Sequence, residues 1–219
     1  LSPTASSEAP VLLITGFGPF PGMPRNPSAA LARRLERSSR LRLALGRALR
    51  VRVLDTTYDA VGTQLVPELT QAPAAVLMLG VASRAKRIRV EARACNRASR
   101  FYPDASGRPS ASLTLDPAEP AARHAVVAPQ ALAILRRHGL AVVGSRDAGR
   151  YLCNASYFRA LAEPCPVLFV HIPPVSSVKR PRDAVRPQRG RLDPAAQAQA
   201  LTEVALVLCV RGRAAARTR

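Results

Sequence analysis

Three short, uninterrupted apolar runs constrain this chain more than any other feature: residues 11–15 (VLLIT), 74–79 (AAVLML) and 167–172 (VLFVHI). A strand with one wet face alternates apolar and polar side chains. A continuous run bounded by Gly and Pro marks a strand buried on both faces. Such strands need covering layers on either side, and the intervening segments supply them. Asn26-Pro27-Ser28 reads as a helix start, with Asn26 as cap, Pro27 in the first turn, and Leu31, Leu35 and Leu41 on one side. Residues 58–69, 128–138, 151–161 and 193–210 read as further helices. Residues 51–54, 88–94 and 141–144 read as further strands, the last at an edge. Strands alternating with helices predict an α/β fold, a three-layer α/β/α sandwich with a mostly parallel open sheet and helices on both faces.

At 219 residues the chain can bury one sizeable core. A single domain is expected over residues 11–211, after a flexible lead-in at 1–10 and before a basic tail at 212–219. Residues 176–191, dense in Arg and Pro, read as a solvated loop, and residues 211–219, with four arginines, as a frayed end.

The formal net charge is +19, from 33 Lys+Arg against 14 Asp+Glu, enough to attract polyanions through the long-range field. The excess is spread over several regions, and no alternation of aromatic and basic residues accompanies it. Nucleic acid is therefore expected to bind nonspecifically if at all. The four cysteines (Cys95, Cys153, Cys165, Cys209) form no C-x-x-C pair, and His124, His138 and His171 are scattered, so no metal site and no cofactor is expected. No apolar run approaches the roughly 20 residues of a membrane helix. The opening residues lack the pattern of a signal peptide, and a reducing, cytoplasmic setting is the expectation.

Ligands of open parallel sheets bind at the carboxyl ends of the strands. The Gly/Phe loop after residues 11–15, Gly80 after residues 74–79 and His171 within the last apolar run all fall at such ends. Cys153 stands near the start of a helix, where free N–H groups favour a thiolate. A neighbouring His could shuttle its proton, and a carboxylate could orient that His. Each residue also has a plainer reading: Cys153 as an inert core thiol, His171 as a structural histidine, and Glu91 as an exposed charge on an edge strand beside Arg89 and Arg93.

Four ordered segments resemble the motifs of the pyroglutamyl peptidase I family of cysteine peptidases. Thr15-Gly16-Phe17-Gly18-Pro19-Phe20 with Asn26-Pro27-Ser28 is similar to the family's opening. The stretch from Gly80 to Asn96 is similar to its glutamate motif, with Glu91 at the acidic position. Ser145 through Asn154 resembles its cysteine motif, and Phe169-Val170-His171-Ile172-Pro173 its histidine motif. The resemblance implies a Cys153–His171–Glu91 triad that hydrolyses an N-terminal pyroglutamyl residue from peptides through a thioester. It implies that Phe17, Phe20 and Leu152 line the pyrrolidone slot, that main-chain groups near Gly80 and Val81 read the lactam, and that Arg100 assists the oxyanion. It also implies a homo-oligomer, dimer or tetramer. The chain departs from the family at Gly18, where an acid is usual, and at Pro21, where Gly is usual. Ser83-Arg84 replace a glycine pair, and Arg150 replaces Thr. A homologue acting on another blocked amide, or with weak catalysis, and a basic polyanion-binding protein are the competing readings.

Overall fold

The computed structural model describes residues 11–174 and 193–218. The expectations for residues 1–10 and 176–191 lie outside the described residues. Among the described residues there are eight strands: β1 (Leu12–Phe17), β2 (Leu49–Leu54), β3 (Ala75–Val81), β4 (Ile88–Glu91), β5 (Arg93–Cys95), β6 (Ala122–His124), β7 (Val142–Ser145) and β8 (Val167–Ile172). The helices are α1 (Pro27–Glu36), α2 (Ser39–Leu45), α3 (Val66–Leu69), α4 (Ala128–Arg137), α5 (Leu152–Ala160) and α6 (Pro194–Arg217). Six strands form the main sheet in the order β2-β1-β3-β8-β4-β7, and β5 and β6 pair separately. The three apolar runs become β1, β3 and β8, the centre of the sheet. Every residue of β1 and β8 is buried, as their unbroken hydrophobicity demands. On one face α1 and α6 pack over β3, with α4 beside α6; on the other, α5 packs over β3 and β8. The result is the expected three-layer α/β/α sandwich.

Local chemistry explains the elements that frame the site. The Asn26 side chain accepts from Ser28 N–H at 3.1 Å, with Pro27 already in the first turn of α1. The same Asn26 donates to Gly18 O at 2.9 Å, and Thr56 Oγ1 donates to it at 3.0 Å, tying down the loop after β1. Within that loop Phe20 and Met23 exchange backbone hydrogen bonds across Pro21-Gly22. Gly22 has φ +81°, so this is a turn that needs Gly third and accepts Pro second.

Several boundaries differ from the sequence expectation. Residues 88–94 are two strands rather than one. Ala92 is the crossover: its N–H donates to Ser145 O at 2.7 Å, while its carbonyl accepts from Ala125 N–H at 2.9 Å. The chain thus changes sheets there, and Glu91 closes β4. The β4–β8 pair is antiparallel, whereas the other pairs of the main sheet are parallel. The helix expected at 58–69 contains a π-helical turn at Val61–Leu65. Pro67 follows directly; it lacks an N–H and would press on the carbonyl one turn back, and a widened turn relieves both problems. The basic segment expected to fray past Val210 instead continues α6 to Arg217. Gly212 packs so close to Ala74, the residue before β3, that a Cβ there would fall 1.7 Å from Ala74 O.

Candidate active site

Cys153 is the second residue of α5. Tyr151, the residue before the helix, offers no side-chain cap, so the N–H groups of the first turn remain directed outward beside the thiol. The helix start is fastened by Asn154, wholly buried, whose amide accepts from Cys95 N–H at 2.9 Å and donates to the carbonyls of Cys95 at 2.7 Å and Arg97 at 2.8 Å. Strand β3 brings Gly80 against the thiol. A Cβ on Gly80 would lie 3.0 Å from Cys153 Sγ and 2.6 Å from Phe169 Cζ, so only a bare backbone fits between nucleophile and sheet.

Gly80 is the register partner of His171 on β8, which places the imidazole next to the same thiol. His171 Nδ1 donates to Glu91 Oε1 at 2.8 Å, leaving the other ring nitrogen for Cys153, with which His171 also interacts by hydrogen bond and charge. Glu91 is wholly buried, not an exposed edge charge. Its Oε1 also accepts from Arg89 Nε at 3.2 Å, and Arg89 is itself held by Ser145 Oγ at 2.6 Å and Asp147 O at 2.7 Å. The backbone carbonyl of Glu91 accepts from the Tyr157 hydroxyl at 2.8 Å. Burial disfavours a charged imidazole, but the thiolate of Cys153 and the carboxylate of Glu91 more than offset it. The His171 pKa is pushed up to about 9. Burial likewise pushes the Tyr157 hydroxyl well above its ordinary range, so it remains a proton donor.

A cavity of about 680 Å3 opens over the thiol. Phe17, Phe20, Val81, Leu152, Cys153 and His171 all line it, so the expected substrate residues converge on one place. Gly80 borders the thiol from beneath. Arg100 does not join them: it is exposed and outside the cavity wall, whereas the uncapped start of α5 carries Leu152 and Cys153 in that wall. Sequence reasoning missed Tyr157 and the positioning role of Arg89. Both had a signal, since Tyr157 lies one helical turn beyond Cys153 and Arg89 two residues before Glu91, on the same strand face. Tyr102, also in the cavity wall, comes from an irregular loop and had none. Among the described residues no group of three or more His, Cys, Asp or Glu side chains could hold a metal ion.

The sequence profile of the pyroglutamyl peptidase family matches residues 11–184. The chain belongs to the pyroglutamyl peptidase family. Its relatives include a pyrrolidone-carboxylate peptidase of Gloeobacter violaceus, 32% identical over 182 residues that cover 79% of this chain and 87% of the relative. One of Deinococcus radiodurans is 32% identical over 189 residues, covering 81% and 84%. The crystal structure of the pyrrolidone carboxyl peptidase of Thermus thermophilus superposes with a TM-score of 0.74 at 32% identity, over 90% of this chain and 100% of that one. The Thermococcus litoralis pyrrolidone carboxyl peptidase gives 0.75 at 26% identity, over 92% and 93%. In this family member Cys153 and His171 stand in the cavity wall, with Glu91 hydrogen-bonded to His171.

Proposed function

We propose that this chain removes an N-terminal pyroglutamyl residue from peptides, with Cys153 as nucleophile, His171 as acid–base and Glu91 as the group orienting the base. The thiolate attacks the carbonyl carbon of the pyroglutamyl residue, and a C–S bond forms. The oxygen's negative charge is met by N–H groups at the start of α5. As the C–N bond breaks, His171 gives its proton to the departing amine. Water then attacks the thioester, His171 takes a proton from it, and pyroglutamate leaves with the thiolate–imidazolium pair restored. Phe17, Phe20 and Leu152 enclose the ring, and main-chain groups at Gly80 and Val81 face the lactam. A free α-ammonium entering this slot would lose its water without gaining a partner, which selects for the blocked terminus.

The observation that carries the reading is the buried Glu91–His171 hydrogen bond of 2.8 Å, on an imidazole that also interacts with Cys153. The test is fluorophore release from pyroglutamyl-aminomethylcoumarin under reducing conditions, comparing wild type with Cys153→Ala. Release by wild type that vanishes in the variant is expected; a folded but inert wild type refutes the reaction. No helix among the described residues is long and apolar enough to cross a membrane. A cytoplasmic setting belongs to the same proposal, because Cys95, Cys153 and Cys209 are free thiols and the nucleophile must stay reduced. A dimer or tetramer belongs to it as well, with sedimentation velocity as its test.

A further inference from the structure

The cavity wall is strongly asymmetric in charge. Arg84, Lys86, Arg87 and Arg89 line it, against Asp147 as the one acidic residue of the wall among the described residues. Arg89 is occupied beneath the site by Glu91, Ser145 and Asp147. Arg84, Lys86 and Arg87 are exposed, and among the described residues no carboxylate pairs with them. They sit on the short connection from β3 to β4, which is not free to swing. Ala82 N–H donates to Ile172 O at 3.0 Å, Ala85 N–H to Ala82 O at 2.9 Å, and Ile88 N–H to Ala141 O at 3.0 Å. The backbone that carries the three cations is therefore held at one edge of the mouth.

The inner end of the cavity is formed by buried groups, Phe17, Leu152 and His171, and its exposed rim carries these cations together with Tyr102 and Asp147. A peptide held by its first residue at the inner end must leave across this rim, where cations outnumber the single carboxylate among the described residues. We propose that the Arg84–Lys86–Arg87 edge is a specificity element that favours peptides with acidic residues directly after the pyroglutamyl group. The inference rests on the peptidase reading above and adds the class of leaving peptide. An exposed ion pair is worth roughly a factor of 1.5 to 5 in affinity, and one or two acidic side chains facing three cations give about tenfold together. The cations are solvated, so the effect is sensitive to salt; at 1 M salt the screening length falls to about 3 Å.

The experiment measures kcat/KM for pGlu-Ala-Ala-Ala, pGlu-Glu-Glu-Ala and pGlu-Lys-Lys-Ala by release of free pyroglutamate, at 20 mM and 1 M NaCl. Wild type is compared with the triple variant Arg84→Glu, Lys86→Glu, Arg87→Glu. At low salt the acidic peptide should exceed the lysine peptide by about tenfold or more, and 1 M salt should shrink the ratio to about twofold. In the triple variant the lysine peptide should become the better substrate. Cleavage of the alanine peptide with equal rates for the other two in wild type overturns the inference and leaves the peptidase reading standing. So does an acidic preference that survives the triple substitution undiminished, because it would belong to the net charge of the molecule. Failure to cleave any of the three, the coumarin amide included, refutes the peptidase reading and this inference with it.

Discussion

Replacing Glu91 with Gln keeps the size of the side chain and removes its charge. In the wild type the carboxylate is wholly buried and accepts the Nδ1 proton of a nearly buried His171 at 2.8 Å. A hydrogen bond between charged partners contributes about 1.5–3 kcal/mol. At 1.36 kcal/mol per pKa unit that equals about one to two units, so His171 should fall from about 9 to between about 7 and 8. The reactive form pairs a thiolate with an imidazolium, so kcat/KM must decline as pH rises through the His171 pKa. The basic limb of the profile should therefore move to lower pH by one to two units in Glu91→Gln. The rate at pH 7 should drop by about ten- to a hundredfold, since the same hydrogen bond steadies the imidazole in the transition state. The assay is kcat/KM for the pyroglutamyl coumarin amide between pH 5 and 10, which reports the groups of the free enzyme. A basic limb that remains near pH 9 in a folded Glu91→Gln protein would refute the reasoning, even if the rate fell.

Three further outcomes follow from the packing. Gly80→Ala puts a methyl group 2.6 Å from Phe169 Cζ and 3.0 Å from Cys153 Sγ, so urea unfolding should show a loss of about 1–3 kcal/mol, with activity lower by tenfold or more. Wild-type stability and rate would show that the backbone gap is not needed. Asn154→Ala strands the Cys95 N–H and two carbonyls at the root of α5 and should cost about 2–4 kcal/mol in the same measurement; a loss below about 0.5 kcal/mol contradicts the anchoring role. Arg100→Ala should leave kcat/KM within about twofold, since the residue is exposed and outside the cavity; a tenfold fall would restore it to the oxyanion site.

The sheet was legible because three of its strands are buried on both faces and carry almost no polar residues to blur the signal. The three side chains proposed to react were expected from ordered motifs, and their meeting is a consequence of register: Gly80 opposite His171, and Glu91 two residues along β4 from the partner of His171. Strand direction was not legible. β4 is four residues long, and nothing in Ile88–Glu91 distinguishes running with β8 from running against it. The break at Ala92 was hidden for a related reason, as both halves are strand-like and the change of partner is decided by Ser145 and Ala125, far away in the chain. Arg100 was misplaced because its segment is irregular, and without a period a sequence does not say which way a side chain faces.

Glu91 and His171 are 80 residues apart, joined by an antiparallel strand pair, and Cys153 arrives on a helix encoded between them. No local stretch of chain can assemble this arrangement; it needs the long-range pairing that forms late in a folding reaction. A newborn or half-folded chain thus holds Cys153 apart from His171 and Glu91, and the three side chains come together only when the last central strands have found each other. The buried Glu91–His171 hydrogen bond is consequently a marker of completed folding, built into the site itself.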